Sequence, residues 1–360
     1  MLRAIARARR MWVLDRLHTP SATAPSLRQH ALLRARGYFG CRGQTYPLDR
    51  FPLALFLSDR EIELKLFQLC DPATRGLLRD KLGFDLMVRA AGLARLRPQL
   101  LGLLIDGRFV GRQPLTTSSD LASAVEQAGS VIVKPLVGQS GRNVVLIDQP
   151  GTVGRAKCLD RGVYVVEERI TQHEDMSRLF RGSVNTVRII TMLAPDTGEP
   201  FVAGVALRIG TMRSAPTDNA GRGGLRAAVD VMSGRVGSAM APPSLGPVRR
   251  LSVHPDTGAA VAGVVLPRWD DVCRAALQLA QAFPWIPYVG WDLAIAPDGP
   301  RVVEGNGGVA NPSLVQAELP LLLDPKVRYF LQHHGVLTPG RARSAARAAT
   351  RSGLSRQDAA

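Results

Sequence analysis

The chain has 360 residues, 46% of them hydrophobic, which leaves room for two or three domains with real cores and excludes a wholly disordered protein. No apolar run reaches the ~18–20 residues of a membrane-spanning helix, so an integral membrane protein is excluded. The formal net charge is +16, but residues 1–42 hold nine Arg and one acid, residues 341–360 hold five Arg and one acid, and no aromatic residues interleave a basic stripe, so nucleic acid is not the expected partner.

Residues 1–70 read as a helical, basic N-terminal region. Met1–Arg10 is basic but no apolar stretch follows it, so no secretory leader is expected. Met1–Leu17 has the pattern of a basic amphipathic helix, either a surface helix of the domain or an arm that contacts a membrane surface or an acidic partner. Ala31–Arg36 and Glu61–Leu69 have helical spacing, with Pro47 and Pro52 breaking the run between them. No early G-x-G-x-x-G occurs, so this is not a dinucleotide-binding domain. Asp71-Pro72 can start a helix, with Asp as N-cap and Pro in the first turn, and the pattern continues over Thr74–Leu93. Only five Lys occur beside 41 Arg, so Lys81 in that helix and Lys134 beyond it stand out as point charges.

After Leu115 the texture changes to short strands between Gly and Pro turns. Strands are expected at Val131–Lys134, Asn143–Asp148 and Val163–Glu168, then as a pair at Val184–Leu193 and Phe201–Ile209, and briefly at Val229–Val231. A helix follows at Trp269–Ala282, then a hairpin at Gly290–Ala296 and Arg301–Glu304, then helices at Ser313–Glu318 and Asp324–His333. Strand runs with helices at their edges predict an α+β fold with antiparallel sheets. The Ala/Arg/Ser-rich stretch Arg341–Ala360 has no periodic apolar face, and the basic tail, residues 337–360, is expected to be disordered. The four Cys, at 41, 70, 158 and 273, form no C-x-x-C pair. That argues against a disulfide scaffold or a cysteine zinc site and favours a reducing, cytoplasmic home.

Three segments carry chemistry. In the hairpin WDLAIAPDGPRVVEGN, residues 291–306, a loop at Pro297-Asp298-Gly299 sets Asp292 opposite Glu304. Directly paired residues share a face of the sheet, with Cβ atoms ~4.5–5.5 Å apart. Asn306, two residues beyond Glu304, shares that face. Two carboxylates and an amide supply oxygen ligands of the kind Mg²⁺ takes when shared with substrate phosphates. Leu293, Ile295, Val302 and Val303 mark the strands as at least half-buried, which disfavours a merely solvated polar face. In VIVKPLVGQSGRNVVLID, residues 131–148, an apolar strand ends in Lys134. A loop with Gly138, Ser140 and Gly141 follows, where backbone N–H groups can approach phosphate oxygens. It is not the Walker A motif, since no Gly-Lys-Ser/Thr occurs and no helix follows; an ordinary hairpin is the alternative. In VYVVEERITQHE, residues 163–174, a buried strand ends in Glu167-Glu168. Backbone just past it can bond an adenine edge, and a carboxylate can hold ribose hydroxyls.

With Lys134, the glycine loop, Glu167-Glu168 and the Asp292/Glu304/Asn306 set in this order, residues 71–334 resemble the ATP-grasp superfamily. Its sugar-transfer-associated or alpha-L-glutamate-ligase-like branch is similar in the wording DKLGF (80–84), VEERIT (166–171), SVNTVRIIT (183–191), DNAGRGG (218–224) and WDLAIAPDGPRVVEGNGG (291–308). The resemblance implies an ATP-grasp domain over residues 71–336, with a nucleotide-lid part at about 115–168 and a metal and substrate part at about 180–336. It implies Lys81 and Lys134 on ATP phosphates, the loop 138–141 over the triphosphate, Glu167 by the adenine, and Glu168 or Glu174 by the ribose. Asp292, Glu304 and Asn306 would hold Mg²⁺. Arg188 would face phosphate or the acyl substrate, and Arg222, with Asn219, Gly223 and Gly224, would belong to a mobile loop near the substrate. Many superfamily members begin with an α/β substrate-binding domain, where this chain has a helical basic region.

The expected activity is ATP-dependent ligation of a small-molecule carboxylate to an amine through an acyl phosphate. A kinase acting on a small molecule or sugar, and a non-catalytic nucleotide-binding module of a polysaccharide or secondary-metabolite system, are the alternatives. The histidines at 173, 254, 333 and 334 are expected at surfaces or in turns.

Overall fold

The structure is a computed structural model that describes residues 2–19, 26–111, 121–138, 141–150, 152, 154, 161–242, 246, 248–308 and 310–353. The helices are α1 (Leu2–His18), α2 (Leu27–Ala35), α3 (Arg42–Thr45), α4 (Asp59–Leu64), α5 (Pro72–Arg79), α6 (Lys81–Ala90), α7 (Leu121–Ala128), α8 (Glu174–Leu179), α9 (Trp269–Ala282), α10 (Pro312–Val315), α11 (Pro325–His333) and α12 (Pro339–Ser352). The strands are β1 (Leu100–Ile105), β2 (Arg108–Gly111), β3 (Val131–Pro135), β4 (Val145–Ile147), β5 (Val163–Glu168), β6 (Thr186–Leu193), β7 (Pro200–Ile209), β8 (Leu225–Val229), β9 (Ala239–Met240), β10 (Arg250–Leu251), β11 (Tyr288–Ala296) and β12 (Gly299–Gly307).

Two antiparallel sheets result. A five-stranded sheet runs β2-β1-β5-β3-β4, and a seven-stranded sheet runs β10-β9-β8-β7-β6-β11-β12. The small sheet has its own apolar core of Leu104, Val125, Val131, Val133, Ile147 and Val166, under α7. Both faces of the large sheet are covered. One packs Val187, Ile189, Val205 and Leu207 against α9, through Val272, Ala276 and Leu279. The other packs Ile190, Met192, Ala203 and Tyr288 against α10 and α11. Double coverage explains why β6 and β11 are buried at every position rather than alternating.

Four local features depart from the sequence reading. The run Thr74–Leu93 is two helices, because Asp80 is extended (φ −75°, ψ 110°) and accepts a hydrogen bond from Gly83 N, starting α6. Helical spacing continues across the break and so cannot reveal it. The small sheet begins before residue 115. β1 and β2 form a hairpin whose turn, Asp106-Gly107, has positive φ at both residues (46° and 82°), the geometry that an Asp-Gly pair favours. The strand expected at Val229–Val231 is instead β8, which ends at Val229.

The segment 339–352, expected to be disordered, is the helix α12. Thr338 caps it by accepting from Arg341 N, Pro339 opens it, and Ala342 and Ala345 are buried. Arg341 donates to the carbonyls of Ala54 (2.5 Å) and Phe56 (2.6 Å) and pairs with Glu61 (3.2 Å). Alanine methyls allow close approach to the N-terminal region, so small residues do the packing that the composition made invisible. That region is helical as expected, and it is tied to the rest by Gln316, which bonds Leu57 N (2.7 Å), Leu57 O (3.1 Å) and the Tyr46 hydroxyl (3.0 Å). Among the described residues no helix is long and apolar enough to cross a membrane.

Candidate functional site

The two sheets face each other across a cleft of about 1020 Å³, its open mouth included. Lys81, Lys134, Gly138, Gly141, Glu167, Glu168, Asp292 and Glu304 all line it. Residues that are far apart in sequence thus converge, each for a local reason.

On the small sheet, Lys134 pairs with Val165, and Ile132 with Glu167. Lys134 and Glu167 are therefore diagonal neighbours on one face, and the Lys134 ammonium lies 2.5 Å from Glu167 Oε2. The other Glu167 oxygen accepts from Arg97 Nη2 at 2.8 Å. Burial pushes the Glu167 carboxyl up, but Lys134 and then Arg97 outweigh it and hold the carboxyl below its ordinary range. Both of its oxygens are thus taken by cations, where the resemblance implied an adenine contact. Arg97 also donates to Asp85 (3.1 Å) and to the carbonyls of Val302 (2.6 Å) and Val303 (3.1 Å), joining α6, β5 and β12. Sequence reading missed it; a single Arg in a chain with 41 carries no local signal.

Lys81 is the first residue of α6. Its backbone N–H donates to Leu136 O (3.0 Å) and its ammonium to Gly138 O (3.4 Å), which fixes it beside the glycine loop. Burial, and next the Lys134 ammonium, push its pKa down to about 8. Gly141 has φ +66°, and an added Cβ would come within 2.8 Å of Thr217, so the close approach of the loop to residue 217 requires glycine here. Ser140 lies outside the described residues. Arg222 is exposed and reaches back to Gly141 O at 3.4 Å, and Asn219 joins the cleft wall. Glu168 lines the cleft, whereas Glu174 turns away, pairing with Arg181 (2.8 Å) on the exposed side of α8.

On the large sheet, Asp292 stands opposite Glu304 as expected. The register is achieved differently. The loop is the two residues Pro297-Asp298, and a bulge between Asp292 and Leu293 restores the pairing. Asn306 Nδ2 donates to Glu304 Oε1 at 3.2 Å. Asp292 is buried and its oxygens are occupied. Arg188 donates to both, at 2.8 Å to Oδ2, and Arg208 donates to Oδ2 at 2.5 Å. These two arginines outweigh the effect of burial and hold the Asp292 pKa down to about 2. Arg188 thus sits behind Asp292, its remaining nitrogen on Ala310 O at 3.2 Å, and it is Arg208 that reaches the cleft wall. Arg208 also pairs with Asp218 (2.8 Å), which accepts from Thr186 N (3.0 Å). A charged residue near the end of the apolar run FVAGVALRI was the available signal for Arg208. Of the histidines expected at surfaces or in turns, His254 is in a turn but wholly buried, bonded to Gly210 O (2.8 Å) and stacked on Phe180.

The residues present fit a hard cation at Glu304. Burial, then the nearby Asp292 charge, push the Glu304 carboxyl up, and a divalent cation relieves that repulsion. Glu304 and Asn306 are partly exposed oxygen donors, while Asp292 serves as counter-ion to the arginines. Among the described residues no group of three or more His, Cys, Asp or Glu is placed to hold a metal; this set is two carboxylates and an amide.

The sequence profile of the sugar-transfer associated ATP-grasp family matches residues 66–320. The chain belongs to this family. Its fold is accordingly ATP-grasp, preceded by a helical N-terminal region. The chain is also similar to solved structures at low identity. The biotin carboxylase domain of the Hydrogenobacter thermophilus 2-oxoglutarate carboxylase, in complex with MgADP, ADP and bicarbonate, aligns at 12% identity and TM-score 0.40, over 72% of this chain and 46% of that one. Biotin carboxylase from Campylobacter jejuni aligns at 12% and 0.41, over 75% and 48%. The D-alanine-D-alanine ligase of Coxiella burnetii aligns at 13% and 0.39, over 73% and 60%. The chain thus spans about half the length of the carboxylase structures it matches. No curated protein matches it.

Proposed function

We propose that this protein is an ATP-dependent carboxylate–amine ligase that works through an acyl phosphate and converts ATP to ADP and phosphate. The observation that carries the reading is the convergence of Lys81, Lys134, Arg208 and Glu304 on one cleft between two antiparallel sheets. Ile132, Val144, Ile170, Val184 and Val303 supply an apolar wall for the adenine, and Glu168, an exposed residue of the same lining, would hold the ribose. Lys81 and Lys134 bind the phosphates, with Gly138 and Gly141 beside them on the cleft lining. Glu304 and Asn306, beside Asp292, would hold Mg²⁺, which supplies charge neutralisation for the triphosphate.

The reaction then needs little covalent chemistry from the protein. A substrate carboxylate oxygen attacks the γ-phosphorus, the β–γ bridging P–O bond breaks, and its electron pair leaves with ADP. The amine attacks the acyl carbon, the C–O bond to phosphate breaks, and the proton the amine loses leaves with the phosphate. Arg208 neutralises the oxyanion in that second step, held in place by Asp292 and Asp218. Arg188 acts on it through Asp292, and Arg222 acts through its contact with Gly141 O. A cytoplasmic location accords with ATP consumption and with the free thiols of Cys41 and Cys70.

The test is a screen of carboxylate and amine pairs with MgATP, reading phosphate release and the mass of the adduct. An amide product with equimolar ADP and phosphate supports the ligase. A phosphorylated product without free phosphate assigns a kinase, and nucleotide binding without turnover on any pair assigns a binding module.

A further inference from the structure

Arg226 differs from the other arginines of the large sheet. It lies on β8, directly opposite Arg208 of β7 and Met240 of β9. Directly paired residues of antiparallel strands point to one face. Arg226 therefore shares the face that carries Arg208 and Asp292, one strand further from the nucleotide end. Arg208 has Asp218 and Asp292 as counter-ions. Arg226 pairs with no carboxylate among the described residues, and its Nε is shielded from water without a hydrogen-bond partner. The charge that acts on it most strongly is another cation, Arg42 of α3, which is already bound to Asp59 at 2.6 Å. Cys41 and Tyr46 complete the surroundings, and both are neutral, since burial pushes each up. Burial, and next Arg42, push the Arg226 pKa down to about 10.

A shielded cation beside other cations destabilises a fold unless an anion arrives to compensate it. Arg226 nevertheless keeps part of its surface accessible. We propose that Arg226 anchors an oxyanion subsite, which binds a second anionic group of the acid substrate, a carboxylate, phosphate or sulfate, while the first is activated at Arg208. The assignment of that ligand to the substrate rests on the ligase reading. Adjacent strands lie ~4.8 Å apart, so the two anionic groups are separated by a few bonds. The substrate class is a small di-acid or phospho-acid rather than a neutral amino acid or a long-chain acid.

The experiment follows thermal unfolding of the full chain in chloride against inorganic phosphate, sulfate and succinate at matched ionic strength, for the wild type, Arg226→Met and Arg226→Lys, with ADP binding measured in parallel. Phosphate and sulfate stabilise many proteins by exclusion, so the readout is the difference between variants. The wild type should gain about 1–3 °C over Arg226→Met from at least one anion near saturation. Arg226→Lys should keep part of that gain. Arg226→Met should melt above the wild type in chloride, because it removes the uncompensated cation. An anion response in Arg226→Met equal to the wild type's overturns the subsite, as does an Arg226→Met that melts below the wild type or does not fold. A response to succinate alone assigns a carboxylate ligand, and a response to phosphate or sulfate assigns a tetrahedral one. Intact ADP binding without an anion difference sinks the subsite and leaves the ligase reading standing. An anion difference in a protein that binds no nucleotide does the reverse.

Discussion

Asp292 and Glu304 face each other across one pair of strands, yet their removal should have opposite consequences. Asp292 is 1% exposed and accepts from two guanidinium groups. Asp292→Asn leaves Arg188 and Arg208 close together in a buried site with that shared charge gone. Breaking a buried ion pair by removing one partner costs about 3–5 kcal/mol, and at about 2 °C per kcal/mol for a chain of this size the melting point should fall by about 6–10 °C. Glu304→Gln should cost no stability. The Glu304 carboxyl is raised in the folded protein, so it binds protons more tightly folded than unfolded. Its contribution to wild-type stability is therefore greatest below the ordinary carboxylate range and declines as pH rises through the raised value. Glu304→Gln flattens that decline while abolishing Mg²⁺-dependent ADP binding and ATP turnover. Urea unfolding at pH 5 and pH 8, with ADP titrated with and without Mg²⁺, measures both halves. Asp292→Asn within 1 kcal/mol of the wild type, or Glu304→Gln retaining Mg²⁺-dependent binding, refutes this division of roles.

Three further outcomes follow from single residues. Lys81, with its pKa lowered to about 8, loses its charge as pH rises through that value, so ADP affinity should weaken between pH 7 and 9; Lys81→Arg should keep it level across that range, and a parallel decline in both would exclude Lys81 as the titrating group. Arg97→Lys cannot reproduce a fork that spans Asp85, Glu167 and two carbonyls, and a loss of about 2–4 kcal/mol in urea unfolding is expected from the unmade buried hydrogen bonds; an unchanged midpoint would count against Arg97 as the tie between the sheets. Arg341→Ala removes three hydrogen bonds and an ion pair between α12 and the N-terminal region, worth about 1–3 kcal/mol, and hydrogen exchange at residues 339–352 should quicken; unchanged protection would show that the alanine packing alone holds the helix.

The sequence by itself determined the antiparallel α+β class, the position of α9, the hairpin that sets Asp292 against Glu304, and the order of lysines, glycine loop and carboxylates. These are local properties: alternation, turn chemistry and short motifs all act within about 20 residues. Tertiary structure decided how the charges are distributed among them. Asp292 reads as a candidate metal ligand in sequence, and β6 and β7 add Arg188 and Arg208 to it from 104 and 84 residues away. For Glu167, which the resemblance puts by the adenine, β3 and the segment before β1 deliver Lys134 and Arg97 to its two oxygens. An ion pair depends on which side chains share a face across neighbouring strands, and strand order is a property of the whole sheet. For the same reason the alanines of α12 gave no sign of burial, since their value lies in how closely a distant surface can approach them.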